Sequence, residues 1–149
     1  MVIRDVALLI LYDQNGKMLL QQRDEYAPTY PNLWCFFGGG LDSGETPDQA
    51  LQREAQEELQ YTPKAPRLLS VHQYQDVTHG IAGRKYYFVE ACMDKRPLRL
   101  GEGQGMGWFA FSEMASLPIA PENWPILDEA RQAIACEMGF PDQQPSGGD

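Results

Sequence analysis

Cysteine is scarce in this chain: Cys35, Cys92 and Cys136 are the only three among 149 residues, widely spaced and without a Cys-x-x-Cys pair. That argues against a disulfide framework or a cysteine zinc site, and the three read as buried apolar fillers. Long hydrophobic runs are also missing. The strongest, Val6 to Leu11, falls far short of the roughly 20 residues that span a bilayer, so no membrane span is expected. The opening Met-Val-Ile-Arg-Asp carries a charge pair where a signal peptide needs a longer apolar stretch, which makes the cytoplasm the expected address. Positive charge is in deficit, with 12 Lys and Arg against 21 Asp and Glu and a net charge of −9. Such a chain repels nucleic-acid polymers and anionic membranes, and a polyanionic partner needs a metal bridge or a local basic pocket. What is present is 43% hydrophobic and 11% aromatic residues, enough for one folded domain, expected over residues 1–140 with a disordered polar tail at 141–149.

The residues from Val2 to Tyr12 read as a strand entering a hairpin through Asn15-Gly16, with Lys17 to Arg23 returning. Tyr26 to Asn32, with two prolines, reads as a loop, and Trp34 to Phe37 as a short strand running into Gly38-Gly39-Gly40. Thr46-Pro47-Asp48-Gln49 has the capping residue, the first-turn proline and the Gln that begin a helix, expected over Pro47–Leu59. Leu68 to Thr78 and Lys85 to Met93 form a second hairpin around Gly80 to Gly83. Gly101 to Gly107 reads as loop, Trp108 to Phe111 as a short strand, and Pro125 to Met138 as a helix ended by Gly139.

The helix at Pro47 carries the chemistry. Projected at about 100° per residue, Leu51, Ala55 and Leu59 form the buried stripe, while Gln52, Gln56, Gln60 and Arg53 fall on the solvent side. Glu54, Glu57 and Glu58 share an arc of about 100° bordering that stripe. Acids three and four apart on a helix repel, by about 3 kcal/mol per pair at an effective dielectric near 20. The only cation of the helix, Arg53, projects elsewhere, so a merely solvated acidic face is the weaker reading. Clustered hard oxygen donors suit Mg²⁺ or Mn²⁺, held together with the phosphates of a substrate. The glycines ahead of the helix bring bare backbone beside the acids, where carbonyls can meet metal and the amides of Gly39 and Gly40 can meet phosphate.

These residues resemble the Nudix (MutT-like) hydrolases. The family signature runs Gly, five residues, Glu, seven residues, Arg-Glu, an apolar residue, any residue, Glu-Glu, any residue, Gly. Here it reads Gly39, Glu45, Arg53-Glu54, Ala55, Gln56, Glu57-Glu58, Leu59 and then Gln60, with every charged position matched. The resemblance implies an α/β fold, an α/β/α sandwich around a central mixed sheet, and hydrolysis of a nucleoside diphosphate linked to a group X. It also implies Glu54, Glu57 and Glu58 as metal ligands together with the Gly38 carbonyl, and Glu45 with Arg53 as the pair that orients loop and helix. Glu102 is the best candidate for the additional late acid that family members often supply as general base or ligand. Two positions depart from the pattern: Gln60 replaces the usual glycine after the helix, and Phe37 stands where many members have proline.

Arg23 and either Arg84 or Lys85 are further phosphate-contact candidates, set against an ordinary solubilising role. Tyr74, Tyr86, Phe36 and Trp108 could stack on a base, although aromatics at strand positions are usually core. His72 and His79 have no partner at metal spacing, and Cys35 has no basic activator nearby in sequence. The expected activity is Mg²⁺-dependent pyrophosphohydrolysis, with a small nucleotide as partner, in a monomer or homodimer. The shortness of the chain favours nucleoside triphosphates, normal or oxidised, over nucleotide sugars; hydrolysis of nucleotide sugars or dinucleoside polyphosphates is the alternative. A nucleotide-sensing module without catalysis is the competing class, which an intact acid cluster disfavours.

Overall fold

The computed structural model describes residues 1–93, 98–101 and 103–139. Glu102 and the tail expected at 141–149 therefore lie outside the described residues. The elements are β1 (Val2–Ile3), β2 (Val6–Tyr12), β3 (Met18–Gln22), β4 (Trp34–Cys35), β5 (Phe37–Gly40), α1 (Pro47–Leu59), β6 (Arg67–Asp76), β7 (Ile81–Ala91), β8 (Gly105–Phe109) and α2 (Trp124–Met138). Two 3-10 turns, Phe111–Ser116 and Pro121–Asn123, join β8 to α2.

The unbroken apolar run of the first segment has a structural reason: β2 is covered on both faces. Ala7, Leu9 and Leu11 pack with Leu51, Ala55 and Leu59 of α1, whereas Ile10 and Tyr12 pack with Ile126, Leu127, Ala130 and Ile134 of α2. The result is a mixed sheet between two helices, as the resemblance implied. β2 runs parallel to β7, from Val6 opposite Lys85 to Tyr12 opposite Ala91. Its other edge is divided, since Val6 to Leu9 pair antiparallel with β5 and only Tyr12 pairs with Met18 of β3. β3 then carries β4 on one edge and β8 on the other, and β6 completes the far side on β7.

Local expectations mostly hold, with three revisions. The first strand is interrupted at Arg4 and Asp5, although β1 and β2 keep one register against β7. The interruption follows from Asp5, whose carboxylate takes the Arg84 N–H at 2.9 Å while its carbonyl takes the Leu41 N–H at 2.9 Å. Gly105 to Gly107, expected as loop, are strand, because the exposed edge of β3 pairs with them from Gln22 to Leu20. Gly107 suits that strand by leaving room for the Phe109 ring, which would stand 3.0 Å from a Cβ. β7 also begins earlier than expected, at Ile81, and Gly80 at φ +66° makes the turn.

The start of α1 is as the sequence suggests. Thr46 Oγ1 accepts from the Gln49 N–H at 3.2 Å, and Gln49 Oε1 accepts from the Thr46 N–H at 3.0 Å. Its end shows the effect of the missing glycine: Gln60 adopts the left-handed conformation, φ 51° and ψ 40°, and its N–H closes on the Ala55 and Gln56 carbonyls. A non-glycine residue there costs about 1 kcal/mol.

Candidate active site

Pairing with β2 places the three glycines. Gly38 sits at φ +136°, and a Cβ there would stand 2.1 Å from the Ala7 carbonyl oxygen. Gly39 faces the helix, so that a Cβ would lie 2.5 Å from Glu54 Oε1. Backbone and carboxylate are therefore in contact without an intervening side chain. Phe37, at the proline position of the resemblance, is 2% exposed and packs into the α1-side core.

Arg53 corrects the helical projection. Its long side chain turns back over the acids, donating to Glu45 at 2.8 and 2.9 Å, to Glu54 Oε1 at 2.9 Å and to the Gly40 carbonyl at 3.0 Å. Asp42 at 3.2 Å and Glu57 at 3.5 Å also lie within ion-pair distance. Its hydrogen bonds to Glu45, supported by the Asp42 N–H, pull the Glu45 carboxyl down to about 2. The same pairing holds the Arg53 guanidinium further into its charged form. Glu45 and Arg53 thus tie the glycine loop to the helix.

Glu58 also departs from expectation: it is not at the rim of the core but buried, 2% exposed. Its carboxylate accepts from the Gly38 N–H at 3.1 Å and from Gln21 Nε2 at 3.2 Å, and Gln21 donates in addition to the Phe36 carbonyl. Glu57 is the exposed member, its side chain 58% accessible. Among the described residues no three His, Cys, Asp or Glu side chains converge as a preformed metal cage. The donor set nevertheless fits a hard divalent cation. Asp42, Glu45, Glu54 and Glu57 share the single Arg53 guanidinium, three negative charges in excess before Glu58 is added.

A cleft of about 790 Å³ opens beside this cluster. Gly38, Gly39, Gly40 and Glu58 line one part of it, Arg23, Lys85, Cys35 and Phe36 another, and Tyr26, Tyr30, Glu122 and Asn123 a third. Arg23 reaches the cleft but spends donors on its own loop, with Nε to the Thr29 carbonyl at 2.8 Å and a second nitrogen to Thr29 Oγ1 at 3.3 Å. Lys85 lies 4.9 Å over the Tyr74 ring, and burial depresses its ammonium. Of the two alternatives for a phosphate contact the cleft holds Lys85, and Arg84 does not line it. Among the aromatic candidates Phe36 lines the cleft and packs edge-on to Tyr87, whereas Tyr86 and Trp108 pack against the α1-side core and Tyr74 bonds the Arg4 carbonyl. Burial pushes the Cys35 thiol up despite the nearby Arg23. His72 and His79 engage Ser70 and Asp76.

Sequence reasoning missed Tyr30 and Glu122, whose hydroxyl and carboxylate bond across the cleft and come from segments 92 positions apart. The bond lowers the Glu122 carboxyl and raises the Tyr30 hydroxyl to about 12. Glu102 is outside the described residues, but the neighbouring Gly101 donates its N–H to the Glu58 carbonyl at 2.6 Å.

Known proteins share this fold. The solution structure of the Escherichia coli ORF135 protein superposes with a TM-score of 0.71 at 29% identity, covering 92% of this chain and 94% of that one. A Nudix hydrolase from Burkholderia pseudomallei, 23% identical, superposes with a TM-score of 0.75 over 87% of this chain and 98% of its own. In sequence, the CTP pyrophosphohydrolase of Escherichia coli is 31% identical over 127 residues, 85% of this chain and 90% of that protein. The 8-oxo-dGTP diphosphatase of the same organism is 26% identical over 127 residues, 85% of this chain and 95% of that protein. With the NUDIX domain profile matching residues 2–130, and a relative 31% identical over 85% of this chain, the chain belongs to the Nudix family.

Proposed function

We propose that this chain hydrolyses a nucleoside triphosphate, normal or oxidised, to the monophosphate and pyrophosphate with Mg²⁺ or Mn²⁺ as cofactor. Water's oxygen forms a bond to phosphorus, the bridging P–O bond breaks, and pyrophosphate leaves. The observation that carries the reading is the surplus of carboxylate charge against bare glycine backbone at the edge of a nucleotide-sized cleft. The names of the relatives, which include a CTP pyrophosphohydrolase and an 8-oxo-dGTP diphosphatase, support the triphosphate.

Glu54, Glu57, Glu58 and the Gly38 carbonyl would hold the cation. Bound there, it supplies charge neutralisation on the phosphate oxygens and a lowered pKa for water. Arg53 and Glu45 keep the carboxylates facing the loop. Glu57, the most exposed of the three helix acids, offers an oxygen that can take the proton of the attacking water, and Glu102 is the other candidate for that role. Arg23 and the Gly40 amide position phosphate, the Gly39 amide being turned to Ala7 in the β2–β5 ladder, and Phe36 presents an apolar wall to the base.

The test is turnover with millimolar Mg²⁺ over a panel of nucleoside triphosphates, nucleotide sugars and dinucleoside polyphosphates, beside Glu57→Gln. Triphosphate cleavage abolished in the variant supports the proposal. Cleavage of the other classes alone moves the substrate, and nucleotide binding without any cleavage replaces hydrolysis with sensing.

A further inference from the structure

Arg4 stands in the interruption between β1 and β2, and the structure builds a seat for it. Its N–H donates to the Ala82 carbonyl at 2.8 Å, and its own carbonyl accepts from the Tyr74 hydroxyl at 2.6 Å. Gly83 allows the chain to press close, since a Cβ there would stand 2.2 Å from the Arg4 carbonyl oxygen. The register that sets Val2 opposite Ile81 and Val6 opposite Lys85 is unbroken through this point. Strand alternation therefore puts Arg4 on the same face as Val6 and Lys85, which line the cleft; Arg4 itself is not in the lining and stands at its margin, beside the lining residue Gly40.

The guanidinium lies over Gly40, where a Cβ would come within 2.0 Å of its Nε and 2.6 Å of its Cζ. Two arginines thus meet one glycine, Arg53 on its carbonyl at 3.0 Å and Arg4 over its Cα. Their partners differ. Arg53 is surrounded by four carboxylates, whereas among the described residues none lies within 4.0 Å of the Arg4 guanidinium. A guanidinium seated on backbone and left without a carboxylate offers its fork of donors to an anion brought by a ligand.

We infer that Arg4 binds the terminal phosphates of the substrate, those that leave as pyrophosphate. The inference rests on the hydrolase reading above. Its direction comes from the strand: Gly39 touches Glu54, and Gly40 lies one peptide, about 3.8 Å, beyond it. A phosphate chain running out of the cleft along Gly38 and Gly39 meets Arg4 last.

Product inhibition separates this role from a structural one. In Arg4→Gln, inhibition by magnesium pyrophosphate should weaken roughly tenfold while inhibition by the nucleoside monophosphate stays within about twofold. Arg4→Lys should recover part of the pyrophosphate affinity, and Gly40→Ala, which displaces the guanidinium without removing it, should imitate Arg4→Gln. Unchanged pyrophosphate inhibition, or equal weakening for both products, overturns the assignment. Calorimetric titration of the wild-type protein and Arg4→Gln with magnesium pyrophosphate reads the same site without turnover. Tighter binding by the wild type supports Arg4 even in a protein that cuts no triphosphate, an outcome that would sink only the hydrolase reading; equal binding overturns Arg4.

Discussion

Gly38 and Gly39 are adjacent, yet alanine at each should fail in a different way. At Gly38 the new Cβ meets the Ala7 carbonyl at 2.1 Å and the Leu8 Cα at 2.8 Å, atoms fixed in the central strand. The backbone is also at φ +136°, where an L side chain is strained by about 1–3 kcal/mol. Relief requires β5 to lift from β2, loosening Phe37, which is 2% exposed, and disturbing the hydrogen bond from the Gly38 N–H to buried Glu58. Strain and lost packing together amount to about 3–5 kcal/mol. For a chain of this size that lowers Tm by roughly 6–20 °C. At Gly39 the obstacle is the Glu54 carboxylate, at 2.5 Å, the mobile end of a side chain. Gly39→Ala should then melt within about 4 °C of the wild type while displacing a proposed metal ligand, so turnover and stabilisation by Mg²⁺ both fall. Calorimetric scans with and without Mg²⁺ measure both variants. A Gly38→Ala protein that melts with the wild type, or a Gly39→Ala protein that keeps full Mg²⁺ response, refutes the reasoning.

Mg²⁺ itself should raise Tm of the wild-type protein, with about 2.7 kcal/mol of stabilisation at a hundredfold excess over Kd, and Glu54→Gln should reduce that rise; the same scans check it. The Glu45 carboxyl is depressed in the folded protein from 4.5 to about 2, so its contribution is complete above the unfolded value and is lost as pH falls through that window. Glu45→Gln should flatten the acid limb of Tm against pH between 4.5 and about 2, and an unaltered limb would show that the pair contributes nothing. Leu51→Ala, at a fully buried position beneath the acid face, should cost about 2–5 kcal/mol by denaturant titration. Tyr30→Phe removes the bond to Glu122 from an exposed pair, and should leave stability within about 0.5 kcal/mol while raising KM for the triphosphate.

The acid helix was legible because helical periodicity, capping residues and charge spacing are all local properties of the chain. Thr46 and Pro47 did start the helix, as its capping box shows. What a projection omits is side-chain length: Arg53 begins on the outer face and ends among the acids, and Glu58 is drawn inward by Gln21, 37 positions away. The strand of Gly105 to Gly107 was hidden because glycine's weak propensity yields to the unpaired edge of β3, which no local signal announces. Tyr30 with Glu122, and Arg4 with Gly40, meet only through tertiary structure. For Arg4 the sequence offered no hint, because Gly83 reads as part of the Gly80 to Gly83 turn and only the structure sets it within β7, pressed against the Arg4 carbonyl.

The divided edge of β2 gives the molecule the mechanics of a fork. β2 and β3 touch at one residue pair, Tyr12 with Met18, then part, and the segment from Trp34 to Gly40 spans the opening as β4 on one prong and β5 on the other. The handle of the fork is the turn at Asp13 to Lys17, where Asp13 Oδ1 gathers the N–H groups of Asn15 and Lys17. Removing one residue from that turn would rotate every side chain of β3 to the opposite face. Gln21 would leave Glu58 and Phe36 together, and the acid helix would lose its tie to the far prong. The number of residues in a surface turn is thereby part of the specification of the cleft.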